Sequence, residues 1–217
     1  GIDFSGTQGP RTLWVRASDG LNDAVVKTVS FQYDTQNPIL TETTIGTIDT
    51  QYRKENITLN GTLTDSNALA SNPLSLSINN GAAIPITVNS ENWSYPFDVS
   101  RRTDGTYTLV FTGTDIAGRT TSLTRTIVVD KTPPTISFDT DLSGWKTGQT
   151  LAVSGTTTDA TSGVSAVEYS TDGTNYSPLS GTTAWNGSIP VDNGENSLRF
   201  RATDRAGNTS SVITQNV

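Results

Sequence analysis

The chain has 217 residues, an apolar content of 33% and a formal net charge of −7. This negative charge argues against nucleic-acid binding, because contacts to phosphate groups require a clustered basic surface. No apolar run approaches the roughly 18 residues of a membrane-spanning helix, and no signal-peptide pattern is visible. The absence of Cys and His excludes disulfides, thiolate zinc sites and the usual histidine general base.

Residues 1–34 are interpreted as the last strands of a module whose front strands are missing. Leu13, Val15 and Ala17 alternate along the chain, as one buried face of a strand requires. Trp14 is out of phase with them, so it is expected to point away from that face. Because exposed strand edges tend to pair, we predict either self-association through residues 1–34 or cleavage that removed the front strands.

Residues 35–130 are predicted to form a complete module of β-strands. Asn80-Gly81 lies between two alternating runs and predicts a type I′ hairpin turn, in which both central residues have positive φ. The predicted strands of this module cover residues 39–45, 56–64, 74–79, 84–89, 93–99, 106–114 and 121–129.

Residues 131–217 repeat this plan and are predicted to form a second complete module. Trp93 and Trp185 take the same place in the two modules, and both are expected in the core. The alternating apolar face of residues 13–17 also returns in both modules, at Leu109, Phe111, Leu198 and Phe200. No helical periodicity of useful length occurs, so the chain is predicted to be all-β.

Aspartates recur along the chain at fixed spacing. Asp19 and Asp34 are 15 positions apart, as are Asp115 and Asp130, and Asp204 follows Asp115 by 89 positions. Such self-similarity indicates repeated modules, and this length is close to the roughly 100 residues of an immunoglobulin-like sandwich. The predicted fold class is therefore an extended tandem array of Ig-like Greek-key β-sandwiches with a partial N-terminal module.

Two sets of motifs carry a family resemblance. Residues 104–109, Asp-Gly-Thr-Tyr-Thr-Leu, resemble the penultimate strand of immunoglobulin domains, in which Tyr107 would form a tyrosine corner. Residues 131–217 have Asn196 at this position, so their tyrosine corner is expected to be lost. The joint Val-Asp-Lys-Thr-Pro-Pro at 129–134, the Asp-x-Ala-Gly turns and residues 167–173 resemble tandem bacterial Ig-like repeats of large surface proteins and adhesins. This resemblance implies secretion, a rod-like array and, in some members, calcium at the joints.

The second strand of each module ends in a matching sequence, at residues 61–65 and 155–159. In a Greek-key sandwich, the loop after this strand shares one pole with the loop between the last two strands and with the incoming linker. The pattern therefore predicts an acidic cluster at each joint, formed by Asp34, Asp65 and Asp115 and by Asp130, Asp159 and Asp204. Adjacent carboxylates repel one another, and Ca²⁺, which binds 6–8 oxygens, would relieve this repulsion.

A competing interpretation is that each aspartate caps its own turn and needs no metal. Lys131 and Arg205 could also form an ion-pair network that replaces a cation at the second joint. The first joint has Thr35 and Ile116 in those places, so it carries less positive charge and is the stronger candidate for calcium.

No pair of carboxylates and no serine with a visible base indicates catalysis, so we predict that the chain is not an enzyme. Trp145 lies in a predicted loop and is the candidate for a ligand-binding aromatic residue. The leading hypothesis is a stalk segment of a secreted or surface-anchored bacterial protein, located outside the cell, whose partners are neighbouring Ig-like modules and whose joints are stiffened by calcium. The alternative is a carbohydrate- or protein-binding accessory module of a secreted enzyme, for which glycan binding through Trp145 would be diagnostic.

Overall fold

The computed structural model describes residues 8–21, 25–46, 50–143 and 146–217. These residues form strands and turns with no helix among them, which confirms the all-β prediction. Accordingly, the described chain contains no helix long and apolar enough to cross a membrane.

The chain divides into two compact units. One comprises Gly1–Thr44, Asn60–Tyr95 and Val110–Thr124, and the other comprises Ile45–Leu59, Pro96–Leu109 and Arg125–Val217. These units do not coincide with the modules 1–34, 35–130 and 131–217, whose bounds stay a prediction. Among the described residues, each sheet takes its strands from one of three ranges, 9–33, 39–129 or 135–216.

The first group is a two-stranded antiparallel hairpin of β1 (Gly9–Arg16) and β2 (Val26–Tyr33). Trp14 is 70% exposed, as its phase predicts. Val15, whose counterparts in the two later repeats are fully buried, is 51% exposed in the hairpin. The apolar face of the hairpin is therefore only partly covered, and self-association through residues 1–34 stays a prediction.

The second group builds two sheets between residues 39 and 129. One sheet has the order β3-β5-β9-β8, and the other has the order β4-β11-β10-β6-β7. These strands are β3 (Ile39–Glu42), β4 (Thr50–Arg53), β5 (Ile57–Thr64), β6 (Leu69–Ile78), β7 (Ile84–Ile86), β8 (Val88–Asn89), β9 (Asn92–Phe97), β10 (Gly105–Asp115) and β11 (Thr120–Val129).

Aromatic side chains mark the core of this pair of sheets. In the first unit, Trp93 is 3% exposed, and its ring centroid lies 4.9 Å from that of Phe111. In the second unit, Phe97 meets Tyr107 edge to face, and the Tyr107 hydroxyl donates to the carbonyl oxygen of Thr103 at 2.9 Å. The tyrosine corner predicted from residues 104–109 is thus present.

The third group builds two further sheets, ordered β12-β13-β16 and β15-β14-β17-β18. Their core contains Trp185, which is 1% exposed and stacks on Phe200 at 5.9 Å. These strands are β12 (Thr135–Phe138), β13 (Thr150–Thr158), β14 (Val164–Ser170), β15 (Ser177–Pro178), β16 (Ala184–Pro190), β17 (Ser197–Asp204) and β18 (Ile213–Asn216).

Local details differ from the sequence predictions at three places. The turn expected at Asn80-Gly81 is centred one residue earlier, because Asn79 and Asn80 have the positive φ values of 51° and 58°. Strand β4 was not predicted from the sequence; it pairs in parallel with the end of β11. Asn196 lacks the tyrosine hydroxyl, but its amide donates to the carbonyl oxygen of Asp192 at 2.9 Å, so the same four-residue loop is closed by a different side chain.

Candidate metal centres

Both predicted acidic clusters are assembled in the structure. In the first cluster, Asp34 follows β2, Asp65 follows β5, and Asp115 is the last residue of β10. One carboxylate oxygen from each of them lies within 4.8 Å of the other two. The ends of β5 and β10 and the incoming linker therefore meet at one pole, as the Greek-key argument requires.

The second cluster has the same construction. Asp130 follows β11, Asp159 follows β13, and Asp204 is the last residue of β17. Here too, one carboxylate oxygen of each residue lies within 4.8 Å of the others. Asp130 and Asp204 are buried at 0% and 2% exposure, so the cluster is largely shielded from water.

The matching sequences at residues 61–65 and 155–159 explain why the aspartates are placed so regularly. Gly61 lies under the indole of Trp93, where an added Cβ atom would approach Cζ2 to 2.6 Å. Gly155 pairs with Trp185 and lies under its indole in the same way. Each glycine fixes the strand against the core tryptophan, so that the aspartate four residues later emerges at the pole.

In the first cluster, every carboxylate uses one oxygen to cap a turn. The Oδ1 atoms of Asp34, Asp65 and Asp115 accept hydrogen bonds of 3.0, 2.8 and 2.9 Å from backbone N–H groups. The donors are Gln36, Asn67 and Arg119. Turn capping, the competing interpretation, is therefore correct for these three oxygens.

The other oxygen of each carboxylate in the first cluster is unsatisfied. Among the described residues, the Oδ2 atoms of Asp34, Asp65 and Asp115 are buried and have no hydrogen-bond partner. Most buried polar atoms in proteins are hydrogen-bonded, because leaving one unpaired costs free energy. Turn capping thus accounts for only half of the oxygens, and the remaining three are suited to bind a cation.

One positive charge lies nearer to the first cluster than the sequence suggested. Arg119 donates from Nε to the carbonyl oxygen of Asp34 at 3.1 Å and from Nη1 to Oδ1 of Asn37 at 3.3 Å. The guanidinium therefore binds a carbonyl and an amide oxygen and leaves the three Oδ2 atoms unpaired. The expectation of little positive charge at this joint, based on Thr35 and Ile116, overlooked this residue.

The pKa of Asp34 is lowered below its ordinary value of 3.8. The main cause is the hydrogen bond from the backbone N–H of Gln36, followed by the side chain of Asn67, and the charge of Arg119 acts in the same direction. The carboxylate is therefore ionised at neutral pH, which is the state that a hard cation binds.

In the second cluster, protein donors satisfy the oxygens more completely. Asn208 donates from its backbone N–H to Oδ1 of Asp204 at 2.9 Å and from Nδ2 to Oδ2 at 2.8 Å. The same Nδ2 also donates to the carbonyl oxygen of Asp130 at 2.9 Å. Asn208 therefore bridges two parts of the joint, and both oxygens of Asp204 are occupied without a metal.

The other two carboxylates of the second cluster are also held by backbone donors. Asp130 accepts from the N–H of Thr132 at 3.1 Å through Oδ1 and from the N–H of Ser162 at 3.0 Å through Oδ2. Oδ1 of Asp159 accepts three bonds, from Thr161, Ser162 and Gly163. The two clusters thus share a geometry but differ in how many oxygens remain free.

The cationic side chains expected at the second joint lie elsewhere. Lys131 donates from Nζ to the carbonyl oxygen of Arg102, and Arg205 contacts Tyr52. Within the described chain, neither forms an ion pair with the three aspartates. The predicted ion-pair network is therefore wrong, and hydrogen bonds from Asn208 satisfy oxygens of the cluster instead.

Two further predictions concern tryptophans. Trp93 and Trp185 are core residues, as expected. Trp145, the predicted ligand-binding residue, lies outside the described residues. Asn208 and Arg119 were missed as contributors to the clusters, although a spacing of four residues after Asp204 and Asp115 was readable in the sequence.

Family models match two parts of the chain. Residues 91–172 match a bacterial Ig-like domain of group 3, and residues 137–217 match a second bacterial Ig-like domain model. Residues 91–217 belong to the bacterial Ig-like family. This agrees with the resemblance read from the joints and the Asp-x-Ala-Gly turns. No curated protein matches this bacterial Ig-like chain.

Solved structures with similar folds include the fibronectin(III)-like modules of CbhA from Clostridium thermocellum, at 14% identity and a TM-score of 0.52, covering 82% of this chain and 92% of that one. A tetra-tandem repeat from the extending region of a large adhesion protein is 22% identical, with a TM-score of 0.39, and covers 100% of this chain and 59% of that one. A Ca²⁺-stabilised adhesin of an Antarctic bacterium is 20% identical, with a TM-score of 0.34, and covers 96% of this chain and 55% of that one. The chain thus spans little more than half of the two adhesin structures. Of these three structures, the CbhA modules, with the TM-score above 0.5, support a common fold.

Proposed function

We propose that this chain is a non-catalytic structural segment of a secreted or surface-anchored bacterial protein. In this proposal, residues 35–130 and 131–217 are Ig-like modules, residues 1–34 are the C-terminal strands of a truncated one, and the modules are held at fixed angles to each other. The partners of each module are then its neighbours in the same protein, and the place of action is outside the cell. The absence of His and Cys from the sequence supports a non-catalytic role.

The observation that carries this proposal is the set of three unpaired Oδ2 atoms in the first cluster. Asp115 is 1% exposed, so water cannot satisfy its free oxygen. Burying three carboxylate oxygens without hydrogen-bond donors is costly, and a divalent cation would remove both the mutual repulsion and the unpaired acceptors. Asp34 belongs to the linker, and Asp65 and Asp115 belong to strand ends, so a shared cation would tie the linker to the module.

Calcium fits this donor set better than other common metals. All three side chains are carboxylates, and hard oxygen ligands favour Ca²⁺ or Mg²⁺ over zinc or copper. Ca²⁺ accepts 6–8 oxygens in a flexible arrangement, whereas Mg²⁺ demands near-ideal octahedral geometry. Asp130, Asp159 and Asp204 offer a second site of the same chemistry, but with fewer free oxygens.

Calorimetric titration with Ca²⁺ tests this function, with Mg²⁺ as the comparison ion. We expect heat of binding for Ca²⁺ and a small-angle scattering profile that changes when a chelator is added. The Asp34→Asn variant should lose the heat of the first site, whereas Asp139→Asn, which alters an aspartate outside both clusters, should retain it. No heat and an unchanged scattering profile would leave the clusters as turn caps and refute a cation-stiffened joint.

A further inference from the structure

A direct contact links the turn at residues 204–208 to strand β4. Nζ of Lys54 donates to the carbonyl oxygen of Gly207 at 2.5 Å, between residues 153 positions apart. The guanidinium carbon of Arg205 lies 5.8 Å from the ring centroid of Tyr52, and its Nη1 lies 3.5 Å from the Tyr52 hydroxyl. One ammonium group and one aromatic ring of residues 35–130 (the middle module) therefore contact one turn of residues 131–217 (the third module).

Strand β4 is positioned to make this contact because it ends at the joint. Its last residue, Arg53, pairs with Val129 in parallel register, and the carbonyl oxygen of Arg53 accepts the N–H of Asp130 at 2.9 Å. Lys54 is the next residue, so its side chain extends past the sheet. Both sides of the contact lie in the same compact unit, which includes Ile45–Leu59 and Arg125–Val217.

Backbone hydrogen bonds hold the receiving turn. The N–H of Arg205 donates to the carbonyl oxygen of Gly163 at 3.0 Å, and the N–H of Gly207 donates to that of Asp204 at 3.3 Å. Gly207 has a φ of 87°, which favours glycine over other residues. Asn208 then ties the turn to the linker through the carbonyl oxygen of Asp130.

The equivalent turn at the first joint differs from this one in its sequence. Ile116 takes the place of Arg205 and is 68% exposed. A Cβ atom added to Gly118 would meet nothing within 4 Å, whereas one added to Gly207 would lie 3.7 Å from Nζ of Lys54. The two turns thus present different side chains at the same place, an apolar one at Ile116 and a cationic one at Arg205.

We propose that the turn 204–208 is a docking surface for strand β4, and that this contact holds the second joint in place without a bound cation. The two joints then work by different means: the first offers three unpaired carboxylate oxygens to a cation, while the contacts of Lys54 and Tyr52 hold the second without one. This inference rests on the proposed function only in assuming that fixed angles between modules are what the chain supplies.

Distance measurements in a chelator test the proposal. The protein has no Cys, so spin labels can be placed at Arg101→Cys on the middle module and Thr182→Cys on the third, both at exposed positions. Double electron–electron resonance spectroscopy in EDTA should give one narrow distribution of distances between the two labels for the otherwise unaltered chain. Lys54→Met combined with Arg205→Ala should broaden this distribution, because both side-chain contacts are then lost.

The matched control is Lys146→Met. Nζ of Lys146 also donates to a backbone carbonyl oxygen, that of Asp141 at 3.1 Å, but within one loop of the third module. It should leave the distribution narrow. A broad distribution for the unaltered chain in EDTA, or an unchanged one for the double variant with an intact thermal unfolding transition, would overturn the proposal. Because the measurement is made without cation, a negative calcium titration would refute the proposed cation site and leave this test unaffected.

Discussion

Replacing Asp115 by Asn removes one charge from the first cluster and keeps the shape of the side chain. Asn Oδ1 can still accept the N–H of Arg119, as Oδ1 of Asp115 does at 2.9 Å. What changes is the repulsion from Asp65, whose carboxylate oxygen lies within 4.8 Å. Two unit charges at that separation repel by about 0.9 kcal/mol in water and about 3.5 kcal/mol at an effective dielectric constant near 20. Since Asp115 is buried and Asp65 half-buried, the relief lies between these values.

We expect the variant to be the more stable of the two proteins in EDTA and the unaltered chain to be the more stable in Ca²⁺. In EDTA, Asp115→Asn should unfold at a higher temperature than the unaltered chain, because the repulsion is reduced. In Ca²⁺ at 100 times its dissociation constant, the unaltered chain gains about 2.7 kcal/mol, and the variant, with one ligand lost, gains less. Differential scanning calorimetry of both proteins in the two buffers measures this crossing.

Asp204→Asn is the matched control at the second cluster. Both oxygens of Asp204 already accept hydrogen bonds from Asn208, so an Asn side chain would place an amide NH₂ group against the Nδ2 donor. This variant should be less stable than the unaltered chain in both buffers, by about 1–3 kcal/mol. If Asp115→Asn were also less stable in EDTA and Ca²⁺ shifted neither transition, Asp115 would be a turn cap and the reasoning would be refuted.

Two further substitutions test the packing and the pH dependence. Gly155→Ala should lower the free energy of unfolding by about 1–3 kcal/mol in a urea titration, because the added Cβ atom would meet the carbonyl oxygen of Ser137 and approach Cε2 of Trp185 to 2.7 Å. Gly81→Ala is the control, because the nearest atom to its added Cβ is 3.0 Å away, and it should lower the free energy of unfolding by less. Equal losses for the two variants would contradict the packing argument. Hydrogen bonds, first from the side chain of Asn175, lower the pKa of Asp172 below 3.8, so its contribution to stability is present above that pH and is lost as the pH falls through the folded-state pKa. Asp172→Asn should therefore flatten the acid limb of a stability–pH profile, and profiles of equal slope would rule out this contribution.

The placement of the acidic residues was predictable from local sequence. Strands alternate in direction, so a residue that ends the second strand and one that ends the penultimate strand lie at the same pole of a sandwich. Asp65 and Asp115 occupy those positions, as do Asp159 and Asp204, and the linkers supply Asp34 and Asp130. The structure brings each set within 4.8 Å, although nothing in the sequence identified the free oxygens.

Strand β4 shows where sequence reasoning failed. Thr50–Arg53 has only four residues, all half-buried, and its pairing with β11 is parallel and distant in sequence. No alternation of exposed and buried residues could predict it, because all four positions have similar exposure. The contact between Lys54 and Gly207 depends on this strand, so it was equally hidden.

For this protein, the sequence by itself determined most of the strands, their repetition and the residues at their ends, because alternation and turn chemistry are local properties. Only the tertiary structure decided which carboxylate oxygens remain unpaired and which turn Lys54 contacts. Those outcomes depend on donors such as Asn208 and Lys54 reaching acceptors up to 153 positions away. Hydrogen-bond satisfaction is a property of three-dimensional neighbours, and two clusters with the same aspartate pattern therefore acquire different chemistry.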